Sequence, residues 1–152
     1  MKCDVINKSA LKIVGLKINV GPFDKRIQEL WDTFMSRFTE VTNTANQEVA
    51  FGICCYPDAG VKTFDYIAGV LVTDDKNIPE GMVYYEIPER KYAVFTHKGS
   101  VANLPDTYKN IYDKWLTENG LEEALYEEIE WYDKRFKFGE PDSEMDIFVP
   151  VK

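Results

Sequence analysis

Ile27, Leu30, Trp31, Phe34, Met35 and Phe38 recur at steps of three and four residues, and so do Tyr108, Ile111, Tyr112, Trp115 and Leu116. That spacing gathers each set on one side of a helix, so two amphipathic helices are predicted. The first follows Gly21-Pro22 and carries Asp24 in its opening turn. The second follows Pro105-Asp106 and stops at Asn119-Gly120, where glycine readily takes the left-handed backbone that ends a helix. Around them, β-branched and aromatic runs at 12–20, 49–56, 63–73, 82–87, 91–97, 128–136 and 145–151 predict strands. Pro57-Asp58-Ala59-Gly60 and Gly139-Glu140-Pro141-Asp142 are turn chemistry between consecutive strands, which predicts two antiparallel hairpins with longer loops.

The order strand, helix, strand, strand therefore occurs twice. A constant shift of 81 residues lays Leu30 on Ile111, Phe34 on Trp115, Met35 on Leu116, Phe51 on Tyr132 and Asp65 on Asp146. Gly21 and Gly99 differ by 78, which places three extra residues near 102–104. The expected fold is α+β: a single domain over 1–152 made of duplicated βαββ units, about 10–75 and 88–151, related by pseudo-twofold symmetry. Its antiparallel sheet carries two main helices that flank a groove. One helix over a small sheet buries too little to stand alone, so the halves must pack together. The seam is either a ligand groove or a plug of aromatic core, and periodicity does not choose between them.

Composition narrows the function. The chain has 152 residues, 45% of them hydrophobic, enough for a substantial core. Its net charge of -8, from 26 acidic and 18 basic side chains, repels nucleic acid and favours cationic partners. No direct nucleic-acid binding is expected. Three cysteines, two of them the adjacent Cys54 and Cys55, make no disulfide framework and suggest a reducing, cytoplasmic setting. Asp4, Lys8, Lys12 and Lys17 interrupt the N-terminus, which excludes a signal peptide there, and no later run is apolar enough for a membrane helix. With one histidine, His97, and no Cys-x-x-Cys pair, neither a metal nor another cofactor is expected.

The segment from Glu127 to Asp133 is the most informative. On a strand, Glu128, Glu130 and Tyr132 share one face while Ile129, Trp131 and Asp133 share the other. Glu130, followed directly by Trp131 and Tyr132, becomes a candidate desolvated anion for a ligand cation. Glu118, Glu122, Glu123, Glu127 and Glu128 read instead as a solvated acidic run. Aromatic residues make up 14% of the chain and can hold a delocalised cation by cation–π attraction and stacking. Trp31, Phe34, Phe38 and Trp115 are assigned to the core by their spacing, whereas the hydroxyls of Tyr56, Tyr66, Tyr84, Tyr85 and Tyr132 suit a wet groove wall. His97 is read as a structural residue at a strand end. No Ser-His-Asp order, phosphate-binding loop or dinucleotide fingerprint occurs, so an enzyme here would work with carboxylates and tyrosines.

Several stretches together resemble one family. They are Val20-Gly21-Pro22, Ile78-Pro79-Glu80-Gly81, Ile87-Pro88-Glu89-Arg90-Lys91-Tyr92-Ala93-Val94, Gly99, Ile129-Glu130-Trp131-Tyr132 and Asp146-Ile147-Phe148-Val149-Pro150-Val151. The chain resembles, over nearly its whole length, the GyrI-like or AraC-type effector-binding domains. The resemblance implies a duplicated βαββ fold and a hydrophobic, cationic, drug-like ligand. It places the family's buried glutamate on Glu130, with Tyr132 beside it, and implies that Phe51, Tyr66, Asp146 and Phe148 line the pocket. Regulators of this family carry a helix-turn-helix segment, which is not expected here. Non-catalytic binding of an organic cation is therefore the leading expectation. Two alternatives come with the resemblance: a hydrolase of cyclopropane-containing natural products, with Glu130 as general acid or base and Tyr132 polarising the leaving oxygen or orienting water, and a protein-binding inhibitor of gyrase type.

Overall fold

The computed structural model describes residues 3–55 and 62–152. Eight strands form one antiparallel sheet: β1 (Asp4–Lys8), β2 (Leu11–Val20), β3 (Ala50–Cys54), β4 (Phe64–Leu71), β5 (Val83–Ile87), β6 (Arg90–Lys98), β7 (Glu128–Tyr132) and β8 (Glu144–Pro150). Their spatial order is β1-β6-β8-β7-β3-β4-β2-β5. Helix α1 (Arg26–Arg37) joins β2 to β3. The second helical segment comprises α2 (Leu104–Asn110), a wide π turn (Ile111–Trp115) and the short α3 (Leu116–Glu118). Asp24 accepts the Arg26 backbone N–H at 2.9 Å ahead of α1. Gly120, at φ +66°, closes α3 by donating its N–H to Thr117.

The strand registers locate the pseudo-twofold axis. Ile53 on β3 pairs with Ile129 on β7, Gly52 with Glu130, and Cys54 with Glu128. The axis runs through the Gly52–Glu130 pair, so Ala50, Gly52 and Cys54 are the counterparts of Glu128, Glu130 and Tyr132. Equivalent residues are 78 apart between β3 and β7, as in Gly52 and Glu130, and 79 apart between β4 and β8, where the bridge Thr44–Val72 is repeated by Glu123–Val151. This register lays Asp65 on Glu144 and Phe51 on Ile129, so the expected matches of Asp65 with Asp146 and of Phe51 with Tyr132 are both displaced. Between the equivalent strands, the β7–β8 connection is one residue longer than the β3–β4 connection.

Strand alternation divides the core into two faces. On one, Val14, Leu16, Val20, Tyr66, Ala68 and Val70 pack under α1, while Ala93, Phe95, Met145, Ile147 and Val149 pack under the second helical segment. On the other, Ile13, Phe51, Ile53, Ile67, Ile87, Tyr92, Ile129 and Phe148 form a strand-only cluster in the sense that no helix contributes to it, joined by Val49 just ahead of β3. The connections explain how that face is covered. Only two residues separate β1 from β2 and β5 from β6, although each pair lies six places apart in the sheet. So short a link spans on the order of 10 Å, and the sheet must curl until its edges meet. Ile6 of β1 and Ile87 of β5 accordingly share the strand-only cluster.

Two strand limits differ from expectation. The run 128–136 ends as a strand at Tyr132, because Asp133 accepts the Arg135 backbone N–H and starts a turn. β1 was not anticipated, since its five residues are mostly polar. Tyr56 and Pro57-Asp58-Ala59-Gly60 lie outside the described residues.

Candidate functional site

Glu130 sits at the centre of the helix-covered face and is only 6% exposed. Its Oε1 accepts hydrogen bonds from the Tyr66 hydroxyl at 2.7 Å and the Tyr132 hydroxyl at 3.0 Å, and its Oε2 accepts one from Tyr108 at 3.0 Å. Trp31 Nε1–H, reaching down from α1, donates to the Tyr66 hydroxyl at 2.9 Å. With one lone pair of that oxygen taken by Trp31, the Tyr66 proton is directed to the carboxylate. Both helical segments and two strands, β4 and β7, thus converge on one side chain.

Gly52 makes the arrangement possible. A Cβ there would lie 2.1 Å from the Tyr66 hydroxyl and 2.6 Å from Glu130 Oε1. The strand opposite the carboxylate must therefore carry glycine for the hydrogen bond to form in its shadow.

Burial pushes the Glu130 carboxyl above its ordinary value, while the three hydroxyl hydrogen bonds and the more distant His97 pull it down. Tyr66, Tyr108 and Tyr132 are each raised well above the usual tyrosine value, first by burial and then by the Glu130 charge. They remain hydroxyl donors. No lysine or arginine among the described residues forms an ion pair with Glu130. A buried carboxylate held by neutral donors alone keeps unspent attraction for a cation.

Glu128 lies on the same face and departs from the solvated run assigned to it. Its Oε2 accepts the Tyr112 hydroxyl at 2.6 Å. Burial raises its carboxyl to about 7, the Tyr112 hydrogen bond opposes this, and the charges of Glu130 and Glu123 add to it. Tyr112 belongs to the π turn and Tyr108 to the α2 turn before it, so the second helical segment supplies a hydroxyl to each carboxylate.

Rings close the top of the site. Trp31 meets Tyr132 edge-on at 5.2 Å, Phe136 meets Tyr132 at 4.8 Å, and Phe23 leans on Tyr108 at 5.7 Å. Phe23 is half exposed and has φ +56°, a backbone conformation that bulky residues rarely take. Beside Tyr132 a shallow cleft of about 160 Å³ opens between Met35, Phe38, Val49, Ala50 and Val70. That is smaller than the about 300 Å³ or more that drug-sized ligands ordinarily fill.

Of the residues expected at the site, the structure brings together Glu130, Tyr132 and Tyr66. Phe51 and Phe148 belong to the strand-only cluster on the opposite face, where both pack against Trp131. Asp146 also points away from Glu130, accepting from Thr96 at 2.7 Å and from Arg135 at 2.8 Å. The reason is alternation: Ile147 faces the helices, so its neighbours Asp146 and Phe148 cannot. Tyr84 donates to Glu86, and Tyr85 lies near Cys55 and Glu127 on the strand-only side. His97 is buried and tied to Thr107 and the Ser100 carbonyl, as a structural residue would be. Tyr108, Tyr112, Trp31 and Glu128 were not anticipated as site residues. Tyr108 and Tyr112 are spaced i, i+4 with free hydroxyls, which was the available signal.

The model of the GyrI-like small molecule binding domain matches residues 1–152. The transcriptional regulator BrlR of Pseudomonas aeruginosa is 34% identical over 152 residues, covering 99% of this chain and 56% of BrlR. The chain thus spans little more than half of that relative. Among solved structures, SAV2435 bound to tetraphenylphosphonium superposes with a TM-score of 0.74 at 16% identity, covering 100% of this chain and 94% of SAV2435. The EcmrR C-terminal domain does so with a TM-score of 0.75 at 15% identity, covering 99% of this chain and 97% of that domain. At such identities the likeness shows the fold.

Proposed function

Since the chain belongs to the GyrI-like small molecule binding domain family, we propose that it holds a hydrophobic organic cation against Glu130, beneath Trp31, Tyr108 and Tyr132. The observation that carries this reading is the buried Glu130 carboxylate, which takes three tyrosine hydroxyls and forms no ion pair with a lysine or arginine among the described residues. A lipophilic cation satisfies both halves of the site. Its charge compensates the carboxylate where water is excluded, and its apolar bulk lies against aromatic faces that attract cations. That SAV2435, a relative in fold, was solved with tetraphenylphosphonium supports the choice of ligand class.

Titration with tetraphenylphosphonium tests the proposal, followed by calorimetry and by the fluorescence of Trp31, whose indole N–H is bonded to Tyr66. Trp131 stacks on Phe148 across the sheet and is the poorer reporter. Glu130→Gln keeps the shape and removes the charge, and it is expected to weaken binding at least tenfold. Equal affinity of wild type and variant would refute the assignment.

A further inference from the structure

Glu130 is not the only carboxylate without a basic partner on this face. Glu128 precedes it by two residues on β7, which sets the two about 7 Å apart along the strand with side chains pointing the same way. Among the described residues no lysine or arginine forms an ion pair with either. Each instead accepts from a tyrosine of the same helical segment, Glu128 from Tyr112 and Glu130 from Tyr108. Across the strand pair stand Cys54, opposite Glu128, and Gly52, opposite Glu130, whose missing side chain leaves the room that the Tyr66 hydroxyl fills.

From this we infer that the site recognises ligands carrying two cationic centres, one against Glu130 and the second, about 7 Å away, against Glu128. The inference rests on the cation-binding reading of Glu130 and specifies the ligand class further. A single positive charge compensates one carboxylate and leaves its neighbour a buried anion. That neighbour then has to hold a proton, because two close anions in a dry site repel each other. A second cationic centre takes the proton's place and releases it. The groups facing Glu128 are Tyr112 from the π turn, Cys54 from β3, Glu130 from its own strand and Glu123 from the loop before it. Of these, burial and the two glutamates hold the Cys54 thiol well above its ordinary value, and burial with the Glu128 charge raises Tyr112. Both stay protonated near neutrality, which leaves the carboxyls as the source of the released proton.

The test uses two probes of the same chemistry: bis(benzyldimethylammonium) joined by a pentamethylene spacer, and its singly charged half, benzylbutyldimethylammonium. Calorimetry at pH 7 in buffers of different ionisation enthalpy gives both affinity and proton release. Wild type is expected to prefer the double cation at least tenfold and to release more protons on binding it. Glu128→Gln is expected to bring the preference to within twofold of unity and to remove the extra proton release. A preference that survives Glu128→Gln, or its absence in wild type that still binds tetraphenylphosphonium, overturns the two-centre inference and leaves the reading of Glu130 standing. If wild type fails to bind tetraphenylphosphonium, the reading of Glu130 falls and the inference falls with it.

Discussion

Strands β3 and β7 are related by the pseudo-twofold axis and lie side by side on it, yet they carry opposite kinds of residue. β7 points Glu128, Glu130 and Tyr132 at the helices, where β3 points Ala50, Gly52 and Cys54. One strand supplies the charge, and the other supplies the room in which charge and hydroxyls meet. A duplicated fold makes this division available, because two equivalent strands can diverge while the shared sheet holds both in register. The strand-only face shows no such division: Ile53 and Ile129, which pair beside the axis, are both fully buried isoleucines.

The division can be broken most severely from its quiet side. Gly52→Ala puts a methyl group within 2.1 Å of the Tyr66 hydroxyl and 2.6 Å of Glu130, so one of them must move. Overpacking of this kind costs about 2–3 kcal/mol, read as a lower urea midpoint at unchanged slope, and tetraphenylphosphonium affinity should fall with it.

The charged side gives the next effect, through pH. The Glu128 carboxyl rises from its ordinary 4.5 to about 7 in the folded protein, so between those values the folded state binds more protons than the unfolded chain. Stability from this group is therefore lost as pH rises through that window. Glu128→Gln has no proton to lose, and its stability relative to wild type should climb between pH 4.5 and 7. The gain should be on the order of 2 kcal/mol, less than the full linkage because Glu128 keeps some contact with water. Denaturation of both proteins across that range measures it, and parallel curves would refute the account.

The smallest effect comes from the link between α1 and the carboxylate. Trp31→Phe keeps a ring against Tyr132 and removes the indole N–H that fixes the Tyr66 hydroxyl. One such hydrogen bond contributes about 1 kcal/mol, visible in a urea titration.

Much of this was legible in the sequence where a single physical rule dominates. The helices showed because Ile27 to Phe38 and Tyr108 to Leu116 must each bury one side. Glu130 and Tyr132 showed because alternation along a strand is strict. The failures came where two rules had to be combined. A uniform shift of 81 laid Phe51 on Tyr132, three residues past its counterpart Ile129, and an odd error exchanges the two faces of a strand. Glu128 was lost among its acidic neighbours, since only the placement of Tyr112 distinguishes it from them. β1 carries almost no apolar signal, because it is an edge strand with largely exposed side chains.

The two-residue links that curl the sheet also set the order in which the molecule can be assembled. β1 leaves the ribosome first, but its partner is β6: Asp4 pairs with Val94. β3 must likewise wait for β7, whose Glu130 pairs with Gly52. Until residues near 130 have emerged, the first repeat presents an unpaired strand edge, the kind of surface that invites the wrong neighbour. The carboxylate that completes the ligand site lies on the strand that seals that edge, so a chain with a finished site is also one whose two halves have joined.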